Sequence, residues 1–132
     1  MSASERATEL ALAAAQAAAD KLAHDILLLD VSEQLVITDV FLLASAPNDR
    51  QVKAVVDAIE DALRDRGAKP IRREGTQEAR WVLLDFGDIV VHVQHEEERV
   101  YYALERLWKD CPVIPFVDAD RARAAERAGA RS

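Results

Sequence analysis

Hydrophobic and polar positions in the first half of the chain predict two helices and two strands. Residues 4 to 24 are rich in alanine, leucine, glutamate and lysine and contain no glycine or proline, which predicts a first helix. Two runs rich in branched residues, 25 to 31 and 35 to 45, predict buried strands that can pair as neighbours, with a polar turn at 32 to 34.

A second helix is predicted from Asn48, a suitable N-cap, to Gly67, a residue type that often ends helices. Its apolar residues recur at helical spacing and form one stripe: Val52, Val55, Val56, Ile59 and Leu63. We expect this stripe to cover one face of a sheet.

The second half of the chain predicts three more strands and a third helix. The charged run 69 to 74 suits an edge strand, and EARWVLLDFGDIVVHV, residues 78 to 93, predicts a hairpin. A helix is predicted at 96 to 110, and the prolines at 112 and 115 then require an extended segment. This helix carries an apolar face of Val100, Leu104, Leu107 and Trp108.

The order of these elements predicts a single α/β domain at residues 1 to 116, with a mixed sheet of about five strands flanked by helices. Residues 117 to 132 are predicted to be a charged C-terminal extension, loosely helical or disordered. We expect little packing from this extension, because residues 118 to 132 contain no large apolar side chain.

The hairpin is predicted to have two faces of different character. With a two-residue turn at Phe86 and Gly87, Asp85 would face Asp88 and Trp81 would face His92. One face is then uniformly aliphatic, as expected in a core, and carries Val82, Leu84, Ile89, Val91 and Val93. The other face is amphipathic and carries Trp81, Leu83, Asp85, Asp88, Val90, His92 and Gln94.

The amphipathic face has two interpretations at this point. A tryptophan beside apolar neighbours and rimmed by carboxylates resembles a protein-binding hot spot. A helix of the protein itself could equally cover Trp81, because helices often cover both faces of such sheets.

Composition narrows the classes of function. The 24 acidic and 17 basic residues give a net charge of -7, which argues against unaided nucleic-acid binding and suits either a basic protein partner or solubility alone. Cys111 is the single cysteine, so no internal disulfide forms, which suits a reducing cytosol; we interpret it as a structural thiol. No signal peptide or membrane span is predicted, so we expect a cytoplasmic protein.

Catalytic motifs are weak. Asp85-Phe86-Gly87 spells the magnesium-binding triplet of protein kinases, but the glycine-rich and catalytic loops that kinases need are absent. His92 and His95 are three apart in a predicted strand and point to opposite faces, which disfavours a shared metal ion. We therefore expect no enzymatic activity, no cofactor and no metal.

Most of the chain resembles a known family. VITDVFLL, NDRQV, REG, ARWVLLDFGDIVVHV and HEEERVYYALERLW occur in the order and spacing of the ribosome silencing factors, also called the RsfS or Iojap family. The resemblance runs from about residue 5 to residue 109. It implies a fold similar to nucleotidyltransferases, but the chain lacks the Gly-Ser start and paired aspartates that those enzymes use.

The resemblance also implies a function. Family members are translation regulators that bind the large ribosomal subunit through its fourteenth protein, a basic protein on the face where the small subunit docks. Binding there blocks subunit joining and represses translation when nutrients are limiting. Some members form homodimers when free. An alternative, which we regard as second, is a small nucleotidyltransferase-like enzyme that uses Asp85, Asp88 and His92.

The resemblance is carried over residue by residue. Trp81 matches the family tryptophan associated with the ribosomal-protein interface. Four further residues match family positions on or near that surface: Glu74, Asp85, Asp88 and His92. Thr38, Asp39 and Arg50 also match the family pattern, and for these three a structural role stays open.

Overall fold

The computed structural model describes residues 2–101 and 103–130, which form five helices and five strands. In chain order the elements are α1 (Glu5–Asp20), β1 (His24–Asp30), β2 (Val40–Ala46), α2 (Asp49–Arg64), β3 (Arg72–Glu74), β4 (Trp81–Asp85), β5 (Ile89–His95), α3 (Glu96–Tyr101), α4 (Leu104–Leu107) and α5 (Ala119–Ala130). Among the described residues, no helix combines the length and the apolar character needed to cross a membrane.

The five strands form one mixed sheet in the order β1-β2-β5-β4-β3. The central pair, β2 and β5, is parallel, and the other three pairs are antiparallel. The parallel pair needs a crossover connection, and α2 lies within it. The predicted fold class, an α/β domain with a mixed five-stranded sheet flanked by helices, is confirmed.

Helices α1 and α2 pack on the first face of the sheet and enclose the main core. The predicted stripe of α2 is buried throughout, and α1 contributes small side chains that let the two helices approach closely: Ala7, Ala11, Ala14, Ala15 and Ala18. Asn48 is the N-cap of α2, as predicted, since its Oδ1 accepts a hydrogen bond of 2.9 Å from the backbone nitrogen of Gln51.

The second face of the sheet is covered over only one half. On the β1–β2 half, a small cluster of Leu29, Val31, Leu43 and Cys111 packs beneath α4 and Trp108. The outer edge of β1 is also occupied, because the backbone nitrogen of Asp30 donates to the oxygen of Pro112 over 2.8 Å. On the β4–β3 half the strand residues that point to this face are half-buried or exposed.

Three predicted elements differ from the structure. The first helix, predicted to reach residue 24, ends at Asp20, and His24 begins β1. Residues 35 to 39 are a connection rather than the start of β2, because the backbone nitrogen of Asp39 bonds to Asp88 of the hairpin turn. The predicted helix at 96 to 110 is divided into α3 and α4, with Ala103 in a non-helical conformation. After this break, Trp108 packs edge-on against Phe41 at 5.1 Å between ring centroids, a tertiary contact that overrides the local helical pattern.

The start of α5 is tied to α1. Gln16 donates to Oδ1 of Asp118 over 3.0 Å and accepts from the backbone nitrogen of Ala119 over 2.9 Å. Ile114 and Phe116 of the preceding segment pack against the main core.

Candidate partner-binding surface

The hairpin turn lies one residue later than predicted. Its central residues are Gly87 and Asp88, and Phe86 bonds to Ile89 across it over 2.9 Å. Gly87 has φ 86°, and a primed hairpin turn requires positive φ at its first central position, which glycine adopts without strain. The Asp85 carboxylate further holds the turn by accepting from the nitrogen of Gly87 over 2.8 Å.

The later turn changes the pairing of β4 and β5 by two residues. Trp81 pairs with Gln94, and Asp85 pairs with Val90, so the predicted pairing of Trp81 with His92 is wrong. Because side chains alternate with a period of two, a shift of two residues leaves each strand side chain on its predicted face. The predicted aliphatic face is accordingly buried completely: Val82, Leu84, Ile89, Val91 and Val93.

The uncovered half of the second face has an apolar centre and a charged rim. Trp81 and Leu83 of β4 are half-buried and form the centre. Strand β3 adds Glu74 opposite Leu83 and Arg72 opposite Asp85. We call these five residues, Arg72, Glu74, Trp81, Leu83 and Asp85, the β3–β4 surface.

Trp81 is oriented by His92, which lies behind it. The indole Nε1 donates a hydrogen bond to His92 Nδ1 over 3.1 Å, and Phe41 packs edge-on against the imidazole at 5.3 Å. Burial lowers the pKa of His92 from 6.5 to about 4, so the ring is neutral at pH 7 and accepts at Nδ1. His92 thus supports Trp81 from inside the protein, and its predicted contact with a partner stays a prediction.

The predicted acidic residues lie apart from Trp81. Trp81 and Asp85 are at opposite ends of β4, and Asp88 is exposed in the turn beyond Asp85. Arg72 pairs with both rim carboxylates, with its Nε 3.5 Å from Glu74 Oε1 and its Nη2 4.0 Å from Asp85 Oδ2. We call Asp85 and the neighbouring Asp88 the acidic end; it lies at the opposite end of β4 from Trp81.

The alternative enzyme would need Asp85, Asp88 and His92 to converge on a metal ion, and they do not. Within the described part of the chain, the one group of three ligand side chains close enough to share an ion is Asp20, Asp118 and Asp120, on α1 and at the start of α5. This group is distant in the fold from β4.

Sequence reasoning did not find the residues that hold Trp81 in place. Arg80 forms ion pairs with Glu97 at 3.0 Å and Glu98 at 3.2 Å, which join the start of β4 to α3. Gly75 has φ 76°, and a side chain there would overlap the carbonyl oxygen of Trp81. The sequence does contain features that could have indicated these residues: an arginine beside the tryptophan, an acidic helix start and a loop glycine.

Two residues that match the family pattern have structural roles. Thr38 is buried, and its hydroxyl donates to the carbonyl oxygen of Gly87 over 3.2 Å. The Asp39 carboxylate accepts from the backbone nitrogen of Ser4, the N-cap of α1, over 3.0 Å. Both residues fix the connection before β2 in place.

Comparison with known proteins identifies relatives over most of the chain. A family described as "Ribosomal silencing factor during starvation" matches residues 4–132. A relative from Bacillus subtilis, named ribosomal silencing factor RsfS, is 47% identical over 100 residues, covering 76% of this chain and 85% of the relative.

Two crystal structures have similar folds. One, of a protein from Chromobacterium violaceum, has a TM-score of 0.75 and 34% identity, covering 77% of this chain and 85% of that protein. The other, from Bacillus halodurans, has a TM-score of 0.73 and 37% identity, covering 83% of this chain and 99% of that protein.

Proposed function

We propose a function from the family to which this chain belongs, the ribosomal silencing factors. The protein binds the large ribosomal subunit through the subunit's fourteenth protein and blocks joining of the small subunit. The family prediction is confirmed, and the relatives carry the name of a regulator rather than of an enzyme. Under nutrient limitation, this binding would repress translation in the cytoplasm.

The observation that carries the proposal is the composition of the β3–β4 surface. Trp81 and Leu83 form an apolar centre on the half of the sheet where the β4 side chains of this face stay half-buried. Glu74 lies opposite Leu83, and Asp85 lies two residues beyond Leu83 on β4. A large aromatic ring that is oriented in advance loses little conformational freedom on binding. The carboxylates of Glu74 and Asp85 at the rim favour a partner rich in lysine and arginine, and the net charge of -7 speeds the encounter.

Co-sedimentation of the purified protein with purified large ribosomal subunits tests the proposed partner. Trp81→Ala should weaken binding by about thirtyfold or more, because an aromatic anchor contributes about 2 kcal/mol or more. Trp81→Phe keeps a ring and should lie between the wild type and Trp81→Ala. Wild-type protein that does not co-sediment, or equal binding by all three proteins, would contradict the proposal.

A charge-reversal pair tests whether the acidic end faces a basic partner. Asp88→Lys and Asp57→Lys change the net charge equally, and both aspartates are exposed, Asp88 in the hairpin turn and Asp57 on α2, which packs on the other face. We expect Asp88→Lys to slow association and weaken binding, and Asp57→Lys to change it by less than about twofold. Equal effects of the two variants would indicate a long-range charge effect without a specific surface.

Blocked subunit joining is measured separately. Adding the protein to large subunits before small subunits should reduce the fraction of joined ribosomes in a sucrose gradient, and Trp81→Ala should restore that fraction.

We further propose that two free copies pair through the β3–β4 surface, since its apolar centre is only half-buried in a single chain. A concentration-dependent mass that Trp81→Ala lowers would support this pairing.

A further inference from the structure

Three exposed aliphatic side chains lie at the turn end of the sheet. Val36 is 101% exposed, Ile37 82% and Ile71 75%. They stand on two segments that both contact Gly87: Thr38 bonds to its carbonyl oxygen, and Ile71 Cδ1 lies 3.2 Å from the position that a Cβ on Gly87 would occupy. We call Val36, Ile37 and Ile71 the turn-end patch.

The exposure of Val36 and Ile37 is imposed by their neighbours. Leu35, on one side, packs against the hydrophobic cluster of the second face. Thr38, on the other side, is buried and bonded to the hairpin turn. The two aliphatic side chains between them are consequently held outward by an anchored connection, where they are available to contact a partner.

The charges around the patch define its partner. Asp88, which is exposed, bonds through its carbonyl oxygen to the nitrogen of Asp39, next to Thr38. The nitrogen of Ile71 donates to the carbonyl oxygen of Asp85 over 2.6 Å. Because Asp85 also belongs to the β3–β4 surface, the patch adjoins that surface at the turn. The charged side chains here are Asp85, Asp88 and Arg72, which follows Ile71 and lies 4.0 Å from Asp85, and together they carry one net negative charge.

We propose that the turn-end patch is a second contact for the basic protein partner of the β3–β4 surface, which would place apolar side chains on Ile37 and Ile71 and lysine or arginine beside Asp85 and Asp88. This inference rests on the proposed function. It extends the interface from Trp81 at one end of β4 to the connection between β1 and β2 at the other.

The first experiment measures binding of the full chain to purified large ribosomal subunits. The double variant Val36→Ser/Ile37→Ser and the single variant Ile71→Ser should each raise Kd about tenfold. The matched control is Val117→Ser, because Val117 is 70% exposed and lines a cleft with His24, at the opposite end of the sheet. The control should bind like the wild type, and thermal unfolding should match for all these proteins, since every substituted side chain is exposed.

A second pair of variants gives a comparison that does not require the substitutions to leave folding unchanged. Ile37→Lys and Ile37→Glu both replace an exposed aliphatic side chain with a charged one. A basic partner should reject lysine more strongly, so Kd should rise more for Ile37→Lys than for Ile37→Glu. Equal Kd values for this pair, or a larger rise for Ile37→Glu, would overturn the proposed partner chemistry.

The remaining outcomes separate this inference from the proposed function. If the wild type binds and Trp81→Ala weakens binding while the patch variants bind normally, the proposed function stands and the turn-end patch is not a contact. If the patch variants lose only self-association, measured by analytical ultracentrifugation, the occupant is a second copy and the inference is overturned. If the wild type does not bind large subunits, both proposals fall.

Discussion

The indole Nε1 of Trp81 donates a hydrogen bond to Nδ1 of the buried His92 over 3.1 Å, which couples the ring at the centre of the β3–β4 surface to the protonation state of a histidine. Only the neutral imidazole can accept this bond, because both ring nitrogens of a protonated histidine are donors. Orientation of the indole therefore depends on keeping His92 neutral.

Stability should decrease in acid because of His92. Burial lowers the pKa of His92 in the folded protein to about 4, below the value of 6.5 for an unfolded chain. Above pH 6.5 neither state is protonated; as the pH falls toward 4 the unfolded state takes up a proton first, which removes up to about 3 kcal/mol of unfolding free energy. Urea unfolding at a series of pH values measures this loss.

The variant His92→Asn isolates the effect of histidine from that of the carboxylates that also titrate in acid. Its side-chain oxygen can accept from the indole of Trp81, but it has no proton to gain. The unfolding free energy of the variant should change less between pH 6.5 and 4 than that of the wild type. Identical pH profiles would mean that His92 is not held neutral by burial.

Gly75 should be required for the position of Trp81. Any side chain at Gly75 would overlap the carbonyl oxygen of Trp81, and φ is 76° there. We expect Gly75→Ala to lower the unfolding free energy by about 3 kcal/mol or more and to weaken binding to large subunits. Urea unfolding and co-sedimentation measure the two effects.

Gly67 offers a matched control for the backbone conformation alone. Its φ is 79°, but a Cβ there would meet nothing closer than Arg6 Nη2 at 4.0 Å. Gly67→Ala should therefore cost only the conformational penalty, about 1 kcal/mol, and leave binding unchanged. Equal losses of unfolding free energy for the two alanine variants would show that backbone strain, and not the overlap with Trp81, destabilises Gly75→Ala.

Local patterns were sufficient to predict the elements that pack on the first face. The stripe on α2, its Asn48 cap and the aliphatic face of the hairpin each depend on spacing within a few residues, and each is buried or bonded as expected. The error in the turn position left each side chain of the hairpin on its predicted face. The turn lies one residue later than predicted, and the strand pairing is therefore shifted by two residues. The prediction of Trp81 as an aromatic anchor uses this same alternation.

Contacts between distant segments were not predictable from those patterns. The helical spacing at 96 to 110 is regular, yet Trp108 turns onto Phe41, which is 67 residues earlier in the chain, and the helix breaks. His92 was placed on an amphipathic face, but it lies against the rings of Phe41 and Trp81 and is only 7% exposed. The sequence places a histidine and a tryptophan on one face of the sheet. It does not distinguish a histidine that contacts a partner from one that supports the tryptophan inside the protein.

Gln94 is the last residue of the second face with an unexpected environment. It pairs with Trp81 in the sheet and is fully buried, and neither Nε2 nor Oε1 of its amide has a hydrogen-bond partner among the described residues. A buried amide without a partner costs about 1 to 3 kcal/mol of desolvation free energy, so Gln94→Met, which keeps the length of the side chain, should raise the unfolding free energy by about 1 kcal/mol or more. Gln77→Met, at an exposed position, is the control and should change stability by less than about 0.5 kcal/mol. Thermal and urea unfolding of both variants measure the difference, and a clear loss of stability in Gln94→Met would mean that the amide is bonded in the folded protein.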